Sequence, residues 1–72
     1  KTEMDQDASL HGYLGVAYFL RYRSTGKKDA AALRSARQEF RRALVLDPSY
    51  QLDRTVFSRD VIDAFQNVRK DG

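Results

Sequence analysis

The chain has one histidine, His11, and an aspartate, Asp7, four residues before it, a spacing that places both side chains on one face of a helix. Two ligands make an incomplete metal site, since a structural zinc takes four and a catalytic zinc three. No cysteine exists to complete the set. Nucleophilic catalysis has no better footing, because Ser9 is too near His11 in sequence to be diagnostic and no Gly-x-Ser-x-Gly elbow occurs. Packing beside a neighbouring helix is the expected role of His11. Gly12-x-x-Gly15 lacks the third glycine and the preceding strand of a phosphate loop, which leaves close helix packing as its use. Asp53, Asp60 and Asp63 lack the spacing and the closing glutamate of a calcium loop, so capping and solubility account for them. The expectation is therefore no catalytic residue, no metal and no cofactor.

The one charged feature that stands out is Arg34, Arg37, Arg41 and Arg42. The first three fall within an arc of about 60° on a helix at 100° per residue. Such a stripe can pair with phosphate, acidic lipid or an acidic protein. Glu39 lies among these arginines, and the commoner fate of an arginine-rich outer face is simple solvation. Overall, 13 cations against 10 acidic residues give a net charge of +3, with carboxylates interspersed, so a mixed solvated surface is favoured over a nucleic-acid site.

Several classes drop out on composition. At 72 residues the chain is one domain at most. Apolar content of 42% argues against disorder along the whole length, yet a chain this short buries only about 60% of its unfolded surface. Absence of cysteine removes disulfides and thiolate chemistry. No apolar run approaches the 18 residues or so of a membrane span. The chain opens on Lys1, which suggests a piece of a longer protein.

Three helices are expected, over about 8–23, 29–46 and 59–70. Residues 1–7 form a charged lead-in, and Asp5, Asp7 or Ser9 can cap the first helix. In that helix Leu10, Tyr13, Leu14, Val16, Ala17, Tyr18, Phe19, Leu20 and Tyr22 wrap most of the circumference, which calls for cover on more than one side. One partner helix cannot provide it. Gly15 suits the close approach of that partner, because a Cβ there would hold the backbones apart. Ser24, Thr25 and Gly26 end the first helix, and Asp29 is either the cap of the second or an acidic residue of its first turn that the helix dipole favours. Leu33, Ala36, Phe40, Ala43 and Leu44 recur at three and four residues and form one buried face, with Arg34, Gln38, Arg41 and Val45 opposite. Asp47-Pro48 stops that helix. Residues 49–57 form a loop whose Tyr50, Leu52, Val56 and Phe57 pack down onto the hairpin. Ser58 then caps a third helix with Val61, Ile62, Phe65 and Val68 inward, and Phe57 with Ile62 can form a hydrophobic staple.

The order His11-x-x-Leu14-Gly15-x-x-Tyr18, then Ala36-x-x-x-Phe40-x-x-Ala43, then Asp47-Pro48 resembles the tetratricopeptide repeat, a helix–turn–helix unit, with His11 where its tryptophan stands. The resemblance covers about half of the chain. Between Tyr18 and Ala36 there are about nine residues more than the 34-residue repeat allows. Continuation of both helices by about one turn each uses about seven of them and keeps the antiparallel pairing, whereas a floppy insert would start the second helix nearer Leu33. No second repeat follows. Residues 58–65 resemble the tail after such repeats in some bacterial envelope proteins, with Arg59 where that tail has proline, and this likeness points to the bacterial envelope or periplasm.

The resemblance implies an all-α, antiparallel helical hairpin over 8–48 with extended helices, closed by a capping helix over 58–72. It also implies that the first helix lines a ligand groove, with Ser9, Gly12, Tyr13, Val16, Phe19 and Leu20 facing it and Leu14, Gly15 and Tyr18 packed inward. The lysine and asparagine clamps that some repeats use for a terminal carboxylate are absent. A non-catalytic protein-interaction module follows, with Tyr13, Val16, Phe19 and Leu20 as the protein-binding set. Its partner is a protein, a peptide or a second protomer. The alternative is a small basic helical domain that binds nucleic acid or an anionic surface through Arg34, Arg37 and Arg41.

Overall fold

The chain folds so that two glycine-facing sides of its first helix meet different partners. The computed structural model describes residues 7–71, and every regular element among them is helical: α1 is Ala8–Ser24, α2 is Ala30–Leu46 and α3 is Arg59–Asp71. Asp5, Gly72 and most of the lead-in lie outside the described residues. Asp7 is the cap of α1, its carboxylate accepting from the Ser9 amide at 2.9 Å, and Asp29 caps α2 by accepting from the Ala32 amide at 3.0 Å. Each such cap is worth about 1 kcal/mol.

The extra residues between Tyr18 and Ala36 are absorbed by helix, since α1 runs to Ser24 and α2 already begins at Ala30. In the turn between them Gly26 (φ 72°) and Lys27 (φ 65°) are both left-handed. Glycine adopts that region freely, while for Lys27 it costs roughly 1–2 kcal/mol. The Lys27 amide bonds back to the Tyr22 carbonyl at 3.0 Å, which satisfies one of the orphan groups at the helix end.

α1 and α2 run antiparallel, as three cross-pairs fix: His11 with Glu39, Gly15 with Ala36 and Phe40, and Arg21 with Asp29. A Cβ on Gly15 would stand 2.5 Å from the Phe40 ring and 3.1 Å from the Ala36 carbonyl oxygen. The small side chains Ala32, Ala36 and Ala43 are buried on the facing side of α2. The Phe40 ring itself is fully buried and meets Phe65 of α3 edge-on, 5.3 Å between centroids. α3 thus caps the hairpin, with Val61, Ile62, Phe65 and Val68 turned into the core as their spacing requires.

The connection between α2 and α3 is pinned by its own side chains. Asp47 accepts from the Ser49 amide and hydroxyl, and Asp53 does the same for Thr55. Leu52 is buried, and Tyr50 and Phe57 pack against the core. Val56, expected to pack down with them, instead stands in solvent at 67% exposure. Ser58 occupies the cap position by its backbone, its carbonyl accepting from the Ile62 amide at 3.1 Å. Its hydroxyl, expected to cap the helix, donates to the Asp60 carboxylate, and it is Asp60 that accepts from the first-turn Val61 amide at 3.0 Å. Arg23 of α1 closes this knot, donating to both Asp60 oxygens at 2.8 and 3.0 Å. At the far end Arg69 donates to the Pro48 and Tyr50 carbonyls and lies over the Phe65 ring.

The hydroxyl of Ser58 and then the guanidinium of Arg23 hold Asp60 down at about 2, below its usual 3.8. A carboxylate with a depressed folded pKa adds stability that is complete above its unfolded value and is lost as pH falls through the folded one. Unfolding free energy should therefore decline between about pH 4 and pH 2, and Asp60→Asn should flatten that limb in urea titrations at each pH. At Gly15, alanine should gain about 1 kcal/mol in helix propensity and lose about 1–3 to overpacking, a net loss. Gly15→Leu should unfold the hairpin, read by circular dichroism; a stable, fully helical variant would overturn the contact.

Candidate functional site

On α1 the buried residues are His11, Gly12, Gly15, Val16 and Phe19. At 100° per residue these span an arc of about 140°. α2 approaches its Gly15 side, and Tyr50 covers its Gly12 side, where a Cβ would stand 2.5 Å from the tyrosine oxygen. Phe19 stacks beside Tyr22 at 5.9 Å and belongs to the core shared with Val61, Ile62 and Phe65.

The four residues expected to bind protein are thereby divided. Val16 and Phe19 lie in the core at 6% and 8% exposure, because α3 and the loop close over that side of α1. Tyr13 and Leu20 remain exposed. The inward set implied by the repeat resemblance shifts as well. Gly15 is inward, but Leu14 and Tyr18 are exposed, since the closest approach of α2 falls at Gly15 and leaves both on the flank.

Consequently the side of α1 away from α2 and α3 presents Tyr13, Leu14, Ala17, Tyr18 and Leu20 to solvent. Between Asp7 and Arg21 this helix carries no Asp, Glu, Lys or Arg. Tyr13 touches Phe57 of the loop, 6.0 Å between ring centroids, which extends the apolar surface toward exposed Val56. Periodicity in α1 gives no hint of which residues these are. The position of the glycines is the usable signal.

His11 is buried, with its Nδ1 2.7 Å from Glu39 Oε1, so the ring donates to the carboxylate across the hairpin. Arg42 approaches the other Glu39 oxygen at 3.9 Å. An orienting carboxylate on an imidazole is a component of catalytic sites. The open cavity of about 480 Å³ beside it is bounded by Gln38, Arg41, Arg42, Val45 and Leu46, none of which carries a hydroxyl or thiol nucleophile. The pair links α1 to α2. Among the described residues no three His, Asp or Glu side chains gather as metal ligands.

Arg34, Arg37 and Arg41 are all exposed on α2, and none forms an ion pair within 4.0 Å among the described residues. Val45 beyond them is 76% exposed. Elsewhere, Tyr50 has its hydroxyl pKa raised by burial, offset in part by a hydrogen bond with Ser9, and Asp53 is held low by Thr55. No described helix is long and apolar enough to cross a membrane.

Since Phe19 is core, Phe19→Asp should cost the fold several kcal/mol by burying a charge among apolar groups, and helicity should fall with it. Leu14→Asp, on the exposed flank, should leave the thermal midpoint nearly unchanged in dilute solution, where no association contributes to stability. The two variants compared by circular dichroism separate core from surface. Compared with known protein families, with characterised proteins and with solved structures, the chain matches none of them.

Proposed function

We propose that the chain is a non-catalytic protein–protein interaction module of tetratricopeptide type whose docking surface is the outer face of α1. The observation that carries this reading is the run of Tyr13, Leu14, Ala17, Tyr18 and Leu20 left in solvent after α2, the loop and α3 have covered the rest of the helix. Exposed apolar side chains grouped on one face of a helix, rather than scattered singly, support the reading of that face as a contact site. Tyrosine adds to the case: Tyr13 and Tyr18 supply large rigid apolar area with a polar tip, the chemistry enriched at protein interfaces. The repeat-like order of Leu14-Gly15, Tyr18, Ala36, Phe40 and Pro48 on an antiparallel hairpin supports the type of module. A place in the bacterial envelope follows from the likeness of residues 58–65 alone.

A second reading draws on Arg34, Arg37 and Arg41, which share one exposed strip without ion pairs among the described residues. On that reading α2 meets phosphate or an anionic surface, and affinity falls steeply with salt.

A photo-reactive phenylalanine analogue tests the two faces together. Placed at position 13 it should form discrete protein adducts, a second copy of the chain included, that Leu14→Asp abolishes; placed at position 34 it should form none. Adducts confined to position 34, or a salt-dependent shift with nucleic acid lost on Arg34→Glu, would overturn the first reading in favour of the second.

A further inference from the structure

We propose that the outer face of α1 pairs with the same face of a second copy of this chain, antiparallel, about a two-fold axis at Leu14. The proposal rests on the reading of α1 as an interaction surface and names its occupant.

Charge placement on that face points to the occupant. Asp7 lies seven residues before Leu14 and Arg21 seven after it, and all three are exposed. Seven residues advance a helix by about two turns less 20°, so the three share one narrow strip, with the ends about 21 Å apart. Between the two charges the strip is apolar, through Leu14, Ala17 and the flanking Tyr18. The face is therefore acidic at one end, basic at the other and apolar at its midpoint.

Such a face is complementary to itself when one copy is reversed. In the antiparallel register each residue opposes the one equally far on the other side of position 14, which sets Asp7 against Arg21 of the second copy at both ends and Leu14 against Leu14 at the centre. Parallel pairing would oppose Arg21 to Arg21 and Asp7 to Asp7. Exposed charge pairs add little affinity but select orientation and reject wrong registers. Both groups can take the additional contact. Asp7 meets the Ser9 amide through one oxygen, and Arg21 meets Asp29 through Nε at 3.3 Å with its side chain still 72% exposed. A two-fold axis is also the commonest symmetry of self-association, because one patch then serves both partners. Ala17, one turn from the axis, lets the backbones approach.

The chain has no cysteine, so a single introduced thiol reports geometry without background. In Leu14→Cys the two introduced thiols meet at the axis, within the limit of about 7 Å between Cα atoms that a disulfide allows. In Tyr18→Cys they are offset by about 12 Å along the helices of the antiparallel pair and would be adjacent in a parallel one. Under mild oxidation of the full chain, Leu14→Cys should give a covalent dimer and Tyr18→Cys should not. For the cysteine-free chain, sedimentation across a concentration series should show monomer and dimer, and Arg21→Glu should raise the dissociation constant roughly tenfold at low salt. Equal cross-linking by both cysteine variants, or an unchanged constant in Arg21→Glu, would overturn the antiparallel pairing. A chain that stays monomeric while position 13 still cross-links to a different protein would overturn the second copy and leave the interaction reading standing. Monomer without cross-links at position 13 would overturn both.

Discussion

The approach of α2 to Gly15 is the constraint on which the other contacts depend. Without a side chain at that position the Phe40 ring can lie directly against the α1 backbone, and a Cβ there would intrude to 2.5 Å. That proximity brings Glu39 to His11 on one side and Asp29 to Arg21 on the other, both only possible at this separation and in this antiparallel register. It also sets Phe40 deep enough to receive the edge of Phe65, through which α3 is seated. Phe65 in turn meets the Tyr50 ring at 5.9 Å, and Tyr50 leans on the second glycine of α1, Gly12. The contacts form a closed circuit from Gly15 through Phe40, Phe65 and Tyr50 back to Gly12. In 72 residues, where the buried fraction of surface is small, such a circuit carries what a larger core spreads over many side chains.

How much of this was legible varied with the helix. On α2 and α3 the apolar residues recur at three and four, and each residue assigned inward, from Leu33 to Leu44 and from Val61 to Val68, is buried or partly so. The turn before α2 and the stop after it were equally plain, because Gly26 and Asp47-Pro48 act through local backbone chemistry that no tertiary contact has to supply. For the insert between Tyr18 and Ala36, counting residues per turn offered lengthened helices beside a floppy loop, and α2 beginning at Ala30 decides for the helices.

α1 was different, because a helix apolar on nearly every side carries no period from which to choose its inner face. Its orientation is decided by the two residues that lack side chains, and the core arc follows them: Phe19 lies between Gly15 and Gly12 on the wheel, and Val16 about 40° beyond Gly12. Leu14 and Tyr18, large and motif-bearing, fall outside that arc. The site set drawn on α1 mixed the two populations for this reason, taking Val16 and Phe19 from the core and Tyr13 and Leu20 from the surface. The Ser58 hydroxyl does not cap α3 for a related cause. A hydroxyl choosing between a first-turn amide and the Asp60 carboxylate that Arg23 orients takes the charge-assisted bond, and Arg23 is thirty-five residues away in sequence.

The separation of the two populations on α1 bears on how its outer face can act. A buried arc of about 140° leaves more than half of the circumference outside the circuit that holds the fold, and the exposed apolar residues sit within that remainder. On the proposed reading, association through them would add to folding free energy by mass action without being required for the packing beneath. The fold and the proposed contact are thus separable by substitution, since a polar change at Leu14 alters the exposed face while the contacts of Gly15, one residue on, are untouched. Adjacent positions on one helix carry the two roles because successive side chains point about 100° apart. That angular step is what allows a helix with no charged residue between Asp7 and Arg21 to be at once the spine of the domain and its open side.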